Sequence, residues 1–173
     1  MMANVMEKPR LEKVTVNIGV GESGERLGKA EKLVTKLTSK KPVRTVSKHK
    51  IPTWDLKKGE PIGCKVTLRG KAADEIIRRT LYAKNNELKP GNFDRNGNVS
   101  FGIQEYIDIQ GLKYDPEIGV FGMNVNINLG KPGYSIQRRV RKSSKVPSYA
   151  RVQREEAIEF MKINFGVKIE EED

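Results

Sequence analysis

Apolar and polar residues alternate in several separate stretches of this 173-residue chain. In 13–20, Val14, Val16, Ile18 and Val20 share one face, and Lys13, Thr15 and Asn17 share the other. In 62–69, Ile62, Cys64, Val66 and Leu68 stand opposite Gly63, Lys65, Thr67 and Arg69. In 121–129, Phe121, Met123, Val125, Ile127 and Leu129 alternate with Gly122, Asn124, Asn126 and Asn128. The pattern over 101–109 sets Phe101, Ile103, Ile107 and Ile109 against Gln104, Tyr106 and Asp108, with Glu105 out of phase. A shorter run, 43–46, completes the set. A period of two predicts strands with one face on a core and one turned outward.

Three segments carry the helical period instead. Leu27, Ala30, Val34 and Leu37 line one face of 26–40, and Lys29, Lys32, Lys36 and Lys40 form a cationic stripe on another. Over 71–84, Ala73, Ile76, Ile77 and Leu81 oppose Asp74, Glu75, Arg78 and Arg79. The third, 153–164, brings in Ala157, Ile158, Phe160 and Met161 before Gly166. Strands polar on one side and helices apolar on one side predict an α+β fold, a two-layer sandwich. A largely antiparallel sheet carries the helices on one face and leaves the other, polar, face outward. Lys, Arg, Thr, Asn and Gln on that face suit phosphate, ribose and base edges; a plain solvated face is the alternative.

Gly19, Gly21 and Gly24 in G-V-G-E-S-G carry the spacing of a dinucleotide-binding fingerprint. The surroundings argue against it. The first strand of that fold lies in a parallel sheet covered on both faces, so it is apolar nearly throughout, and here Lys13, Thr15 and Asn17 interrupt it. No acid stands in R-T-V-S-K-H-K, where the ribose hydroxyls need one, and Glu22 and Glu25 would repel a pyrophosphate. The glycines predict a tight strand-to-helix turn, and no cofactor is expected.

Charge sharpens the picture. Lys and Arg total 33 against 22 acids, a formal +11, which attracts polyanions. Between 36 and 58 stand Lys36, Lys40, Lys41, Arg44, Lys48, Lys50, Lys57 and Lys58, with His49 and one acid, Asp55. Between 131 and 154 stand eight more, among them Arg138, Arg139, Arg141 and Lys142, with no acid. Such runs repel themselves and are settled by an anionic partner.

These runs fall on two insertions. Residues 47–60 form a projecting loop that extends out and back by about 20 Å, with Trp54 among its lysines. Trp54 either tucks into a satellite core or stacks on a nucleotide. The loop is expected to be mobile until RNA orders it. The basic insertion 131–149 has too little apolar content to fold alone. The whole chain, 1–173, reads as a single domain carrying both.

Little in the sequence supports catalysis. His49 and Cys64 are single and in different settings, Cys64 being a small inward-facing hydrophobe. Paired carboxylates, a phosphate-loop lysine and a metal-ligand cluster are all lacking. One cysteine excludes an internal disulfide and fits a reducing compartment, and no apolar run approaches the length of a membrane span. A cytoplasmic nucleic-acid-binding protein with no membrane partner is expected.

Specific strings narrow this further. P-R-L-E-K-V-T-V-N-I-G-V-G-E (9–22), K-K-P (40–42), K-K-G-E-P-I-G-C-K-V-T-L-R-G (57–70) and F-D-R-N-G-N-V-S-F-G-I-Q-E (93–105) resemble, in order and over essentially all the chain, the large-subunit ribosomal protein family that binds 5S rRNA, family five of that subunit. The type is similar to the archaeal one: I-P-T-W-D stands where bacterial members have A-G-F-K, the N-terminal extension is shorter, and 131–149 is extra.

The resemblance implies a non-enzymatic constituent of the central protuberance. Its partners would be 5S rRNA, large-subunit rRNA, the peptidyl-site tRNA, a neighbouring 5S rRNA-binding protein and a small-subunit head protein across a bridge, with the protein itself monomeric. The family's RNA-contacting asparagine falls on Asn17, its threonine on Thr67 and the aromatic of its projecting loop on Trp54. Lys40 replaces a glutamine, exchanging an amide contact for a cation that can reach phosphate. A structured-RNA-binding domain unrelated to the ribosome is the alternative. The candidate RNA-binding residues are therefore Lys13, Thr15, Asn17, Lys65, Thr67 and Arg69 on the sheet, the basic residues of 36–58 with His49 and Trp54, and the four named residues of the second insertion.

Overall fold

Where the alternation is strict, the strand forms. The computed structural model of the protein describes residues 6–169. In chain order its elements begin with β1 (Arg10–Gly19), α1 (Glu25–Thr38), β2 (Val43–Val46), β3 (Pro61–Leu68) and α2 (Lys71–Tyr82). They continue with β4 (Glu87–Leu88), β5 (Val99–Ile103), β6 (Met123–Gly130), α3 (Ser135–Arg138), α4 (Arg154–Phe165) and β7 (Lys168–Ile169). Five strands form one sheet in the order β2-β3-β1-β6-β5, and every pairing in it is antiparallel. The short β4 and β7 make a separate parallel pair. The architecture is the expected α+β sandwich.

The inward residues of the sheet and the apolar faces of the helices make one core. Val14, Val16, Ile18, Cys64, Val66 and Leu68 pack in the same cluster as Leu27, Leu33 and Val34 of α1, Ile76 and Ile77 of α2, and Met161 of α4. Burial of each such aliphatic side chain contributes roughly 1.5–3 kcal/mol, so the sheet's direction of facing is strongly fixed. Burial also pushes the Cys64 thiol up to about 11, with a smaller push from the Glu31 charge. The thiol therefore stays protonated as a core group.

The glycines of G-V-G-E-S-G build the turn from β1 into α1. Gly21 has φ +82° and Gly24, at the helix N-cap, φ +108°, values that favour glycine. At the other end, Ser39 takes the left-handed conformation, and its N–H donates to the Thr35 carbonyl. That closes α1 at Thr38, before the expected Lys40.

The chain departs from its alternation after Ile103. The strand expected over 101–109 stops there, and Tyr106–Asp108 turn as a short 3-10 helix. Tyr106, expected outward, is buried, with its N–H donated to the Phe121 carbonyl at 3.2 Å. Its phenol oxygen accepts the Asp115 N–H at 3.0 Å. Satisfying both ends of the tyrosine inside outweighs continuing the strand. Phe121 likewise precedes β6 instead of opening it. It remains buried, and the Arg26 guanidinium lies 5.9 Å from its ring centre.

Candidate nucleic-acid interface

Register sets out the outward face residue by residue. Asn17 pairs with Lys65 on one side and Asn124 on the other, and the row extends to Val43 and Gly102. The next row is Thr67, Thr15, Asn126 and Ser100, and below it Lys13 pairs with Asn128. Cross-strand partners in an antiparallel sheet point the same way, so these side chains form one continuous surface. Each is exposed or half-buried, and none is acidic. The face presents hydroxyls, amides and ammonium groups over strands held rigid by the core.

One glycine marks how closely this surface is packed. A Cβ on Gly63 would lie 2.7 Å from the Ile18 carbonyl oxygen and 2.9 Å from Thr45 Oγ1. Only glycine lets β3 approach there.

Sequence reasoning brought Lys13, Thr15, Asn17, Lys65 and Thr67 together correctly, with Arg69 exposed just beyond β3. It left Asn124, Asn126, Asn128 and Ser100 off the candidate list. The N-V-N-I-N run of β6 carries that signal, since three amides at period two must share the face that the apolar residues avoid.

Arg44 stands apart from the sheet face. The sequence groups it with the RNA-facing cations, yet it pairs with the inward residue Cys64 in the register and so points to the helix side. There it holds Glu31 of α1 through two hydrogen bonds, from Nε at 2.5 Å and from a terminal nitrogen at 3.1 Å. The bidentate guanidinium keeps the Glu31 carboxyl below the ordinary carboxylate range, and the ion pair raises Arg44. Lys36 is paired too, 3.3 Å from Asp115. Glu31, Lys36 and Arg44, with Lys32 and Lys41, line an open groove of about 890 Å³ between α1 and β2. The basic run of 36–58 thus splits between two sides of the molecule.

The projecting loop is a closed hairpin tip. Its base is tied by the Ser47 N–H to the Glu60 carbonyl at 2.8 Å and by the Gly59 N–H to the Ser47 carbonyl at 2.9 Å. Ile51 and Leu56 bridge across it around a 3-10 turn, Pro52–Trp54. Leu56 is buried, but outside the main cluster. Trp54 is 70% exposed at the tip, so the satellite core holds Leu56 and leaves the indole out. Lys48, His49, Lys50, Lys57 and Lys58 flank it along the loop, all exposed, and Lys40 and Lys41 are exposed ahead of β2.

The basic insertion docks on the body instead of folding by itself. Lys131 Nζ donates to Glu156 Oε1 at 2.6 Å. Burial pushes the Glu156 carboxyl up, but the bonds from Lys131 and the Gln153 N–H outweigh it and leave the group lowered. Arg138 forms an ion pair with Glu12 of β1. Arg139 Nε donates to the Lys142 carbonyl at 2.7 Å, and the side chains of Arg139, Arg141 and Lys142 are exposed.

Comparison with known proteins gives the family. A family model described as "Ribosomal protein L5" matches residues 4–57, and a second model, for the C-terminus of the same ribosomal family, matches 61–160. A protein named "Large ribosomal subunit protein uL5" from Methanosphaera stadtmanae is 53% identical over 167 residues, 96% of this chain and 99% of its own length. Proteins of the same name from Sulfurisphaera tokodaii and Sulfolobus acidocaldarius are 54% and 55% identical, covering 97% and 96% of this chain and 96% and 93% of theirs. All five strands of the main sheet lie within the matched segments, and the chain belongs to the ribosomal protein L5 family.

Proposed function

We propose that the protein is a non-enzymatic structural constituent of the large ribosomal subunit, working in the cytoplasm. In this reading its whole chain acts as one 5S rRNA-binding domain. The polar sheet face, with no acid among its paired outward positions, carries the reading. It offers hydrogen-bonding groups to ribose and bases while flanking cations neutralise phosphate. Asn17 and Thr67, half-buried on adjacent rows, are the central polar contacts. Trp54 at the hairpin tip reaches beyond the 5S site toward the peptidyl-site tRNA. Large-subunit rRNA, a neighbouring 5S rRNA-binding protein and a small-subunit head protein complete the partners of a monomer, as the family resemblance implies.

A filter-binding panel at fixed salt tests this: 5S rRNA, tRNA, an unrelated structured RNA and duplex DNA. The expected result is tightest binding to 5S rRNA, with affinity that falls steeply as salt rises. Equal affinity for all four would reduce the protein to a general basic RNA binder.

A further inference from the structure

A polar pocket opens at the foot of the outward face, where the basic insertion meets the sheet. A bulge after Leu11 leaves Glu12 without a cross-strand partner, and Glu12 turns to Arg138 instead. Tyr134 is fixed beside them. Its phenol oxygen accepts the Val152 N–H at 3.1 Å and donates to the Ala150 carbonyl at 3.4 Å. Arg151 Nε donates to the Val146 carbonyl at 3.2 Å, folding the segment back. Asn128 of β6 and Asn96 and Asn98, from the turn before β5, complete a cavity of about 250 Å³ with Gln137.

The lining selects its ligand. An amide offers a donor and an acceptor together, and the side-chain amides of Asn96, Asn128 and Gln137 have no hydrogen-bond partner among the described residues. A phosphate presents acceptors only and would call for unpaired cations. Here one of the two arginines is already matched by Glu12. Mixed donors and acceptors beside a tyrosine ring and a guanidinium suit a flat heterocycle with a hydrogen-bonding edge. The volume lies below the roughly 300–1,000 Å³ of drug-sized sites. Directly after Gln137 and Arg138 the chain exposes Arg139, Arg141, Lys142 and Lys145, which can carry the adjoining phosphates.

We propose that this pocket takes the base of a single unstacked nucleotide of the bound RNA, an inference that rests on the RNA-binding reading above. Asn128 and Gln137 read the base edge, and the cations that follow hold its backbone. The basic insertion then contributes a base-specific contact as well as charge.

The test uses the full chain with 5S rRNA and large-subunit rRNA fragments, mapping base and ribose reactivity nucleotide by nucleotide. Wild-type protein should protect one unpaired nucleotide. Asn128→Ala and Gln137→Ala lie on different elements, and melts check that both fold. Each should restore that nucleotide's reactivity and weaken binding about tenfold with an unchanged salt slope. Arg139→Ala should instead reduce the slope by about one and keep the protection. Unchanged protection in both amide variants would overturn the pocket while leaving the 5S reading intact. So would saturation of the pocket by free mononucleotides with RNA affinity unaffected by either variant. Loss of any RNA preference in the wild-type panel would defeat the broader reading, and the pocket with it.

Discussion

Ser23 in the glycine turn donates its hydroxyl to Glu60 at the base of the projecting loop, with 2.6 Å between Oγ and Oε1. The second carboxylate oxygen accepts the Lys57 N–H at 2.9 Å. One side chain therefore joins the turn that launches α1 to the hairpin that carries Trp54. The Lys57 N–H first, and the Ser23 hydroxyl after it, hold the Glu60 carboxyl below its usual range.

A lowered folded value means that the unfolded state binds its proton first as pH falls. The tether then stabilises the fold above the ordinary Glu value of about 4.3 and fades as pH drops through the lower, folded value. Ser23→Ala should raise the Glu60 titration midpoint, read by carboxyl-carbon NMR, and speed amide exchange at Lys57 and Gly59. An unchanged midpoint would show that the Ser23 hydroxyl does not reach the carboxylate in solution.

The two faces of β1 give a sharper contrast. Val16 is fully buried between Val66 and Val125 in the register, whereas its neighbour Asn17 faces outward between Lys65 and Asn124. Asn17→Ala and Thr67→Ala should leave the melting temperature nearly unchanged and weaken 5S rRNA binding by about 1–3 kcal/mol each. Val16→Asp should prevent stable folding, because it buries an unpaired charge. Thermal melts run beside binding curves check both. If Asn17→Ala melts like Val16→Asp, the outward face is misassigned.

Why β1, β3 and β6 were legible in the sequence is clear from these residues. Each alternates over enough positions for period two to fix which side is buried, and the facing of Asn17 and Thr67 follows directly. Four residues of β2 are too few. Val43 and Arg44 could take either face until the pairing of Arg44 with Cys64 turns the arginine toward Glu31. Tyr106 defeats the periodic reading because Asp115, whose N–H its phenol oxygen accepts, comes from a loop that no period identifies, and because Phe121, read from the alternation as part of a strand, instead precedes β6 and accepts the Tyr106 N–H. The two-residue strands β4 and β7 are shorter than any periodic signal. Docking of the basic insertion rests on ion pairs between segments remote in sequence, Arg138 with Glu12 and Lys131 with Glu156. Charge composition shows that such cations exist, but not which of them are spent within the protein.

That distinction predicts unequal roles for cations that look alike in sequence. Arg44 is neutralised by Glu31, while Lys65 stands exposed on the outward face with no acid in its row. Lys65→Ala should therefore lower the log-log salt slope of 5S rRNA binding by close to one. Arg44→Ala should change that slope less. Combining Arg44→Ala with Glu31→Ala should restore most of whatever stability either single change loses, as a double-mutant cycle would measure. A larger slope change for Arg44→Ala would place RNA in the groove between α1 and β2 and not only on the sheet.

Trp54 reports on the hairpin itself. With its indole 70% exposed at the tip, emission from the free protein should be red-shifted and readily quenched by acrylamide. Removing the tip between Lys48 and Lys58 should shift the melting temperature little, because Leu56, its one buried apolar residue, lies outside the main core. Within the loop, the Ile51–Leu56 bridge and the ties at Ser47 are the backbone contacts that can slow local opening. Amide exchange should accordingly be slower at Ile51 and Leu56 than at Lys48 and Lys50, even without RNA. On binding cognate RNA, or on incorporation into the large subunit, quenching of Trp54 should fall while the exchange pattern of β1 and β3 stays the same. If the indole remains equally quenchable in the assembled particle, the tip carries no RNA contact and its aromatic residue has another use.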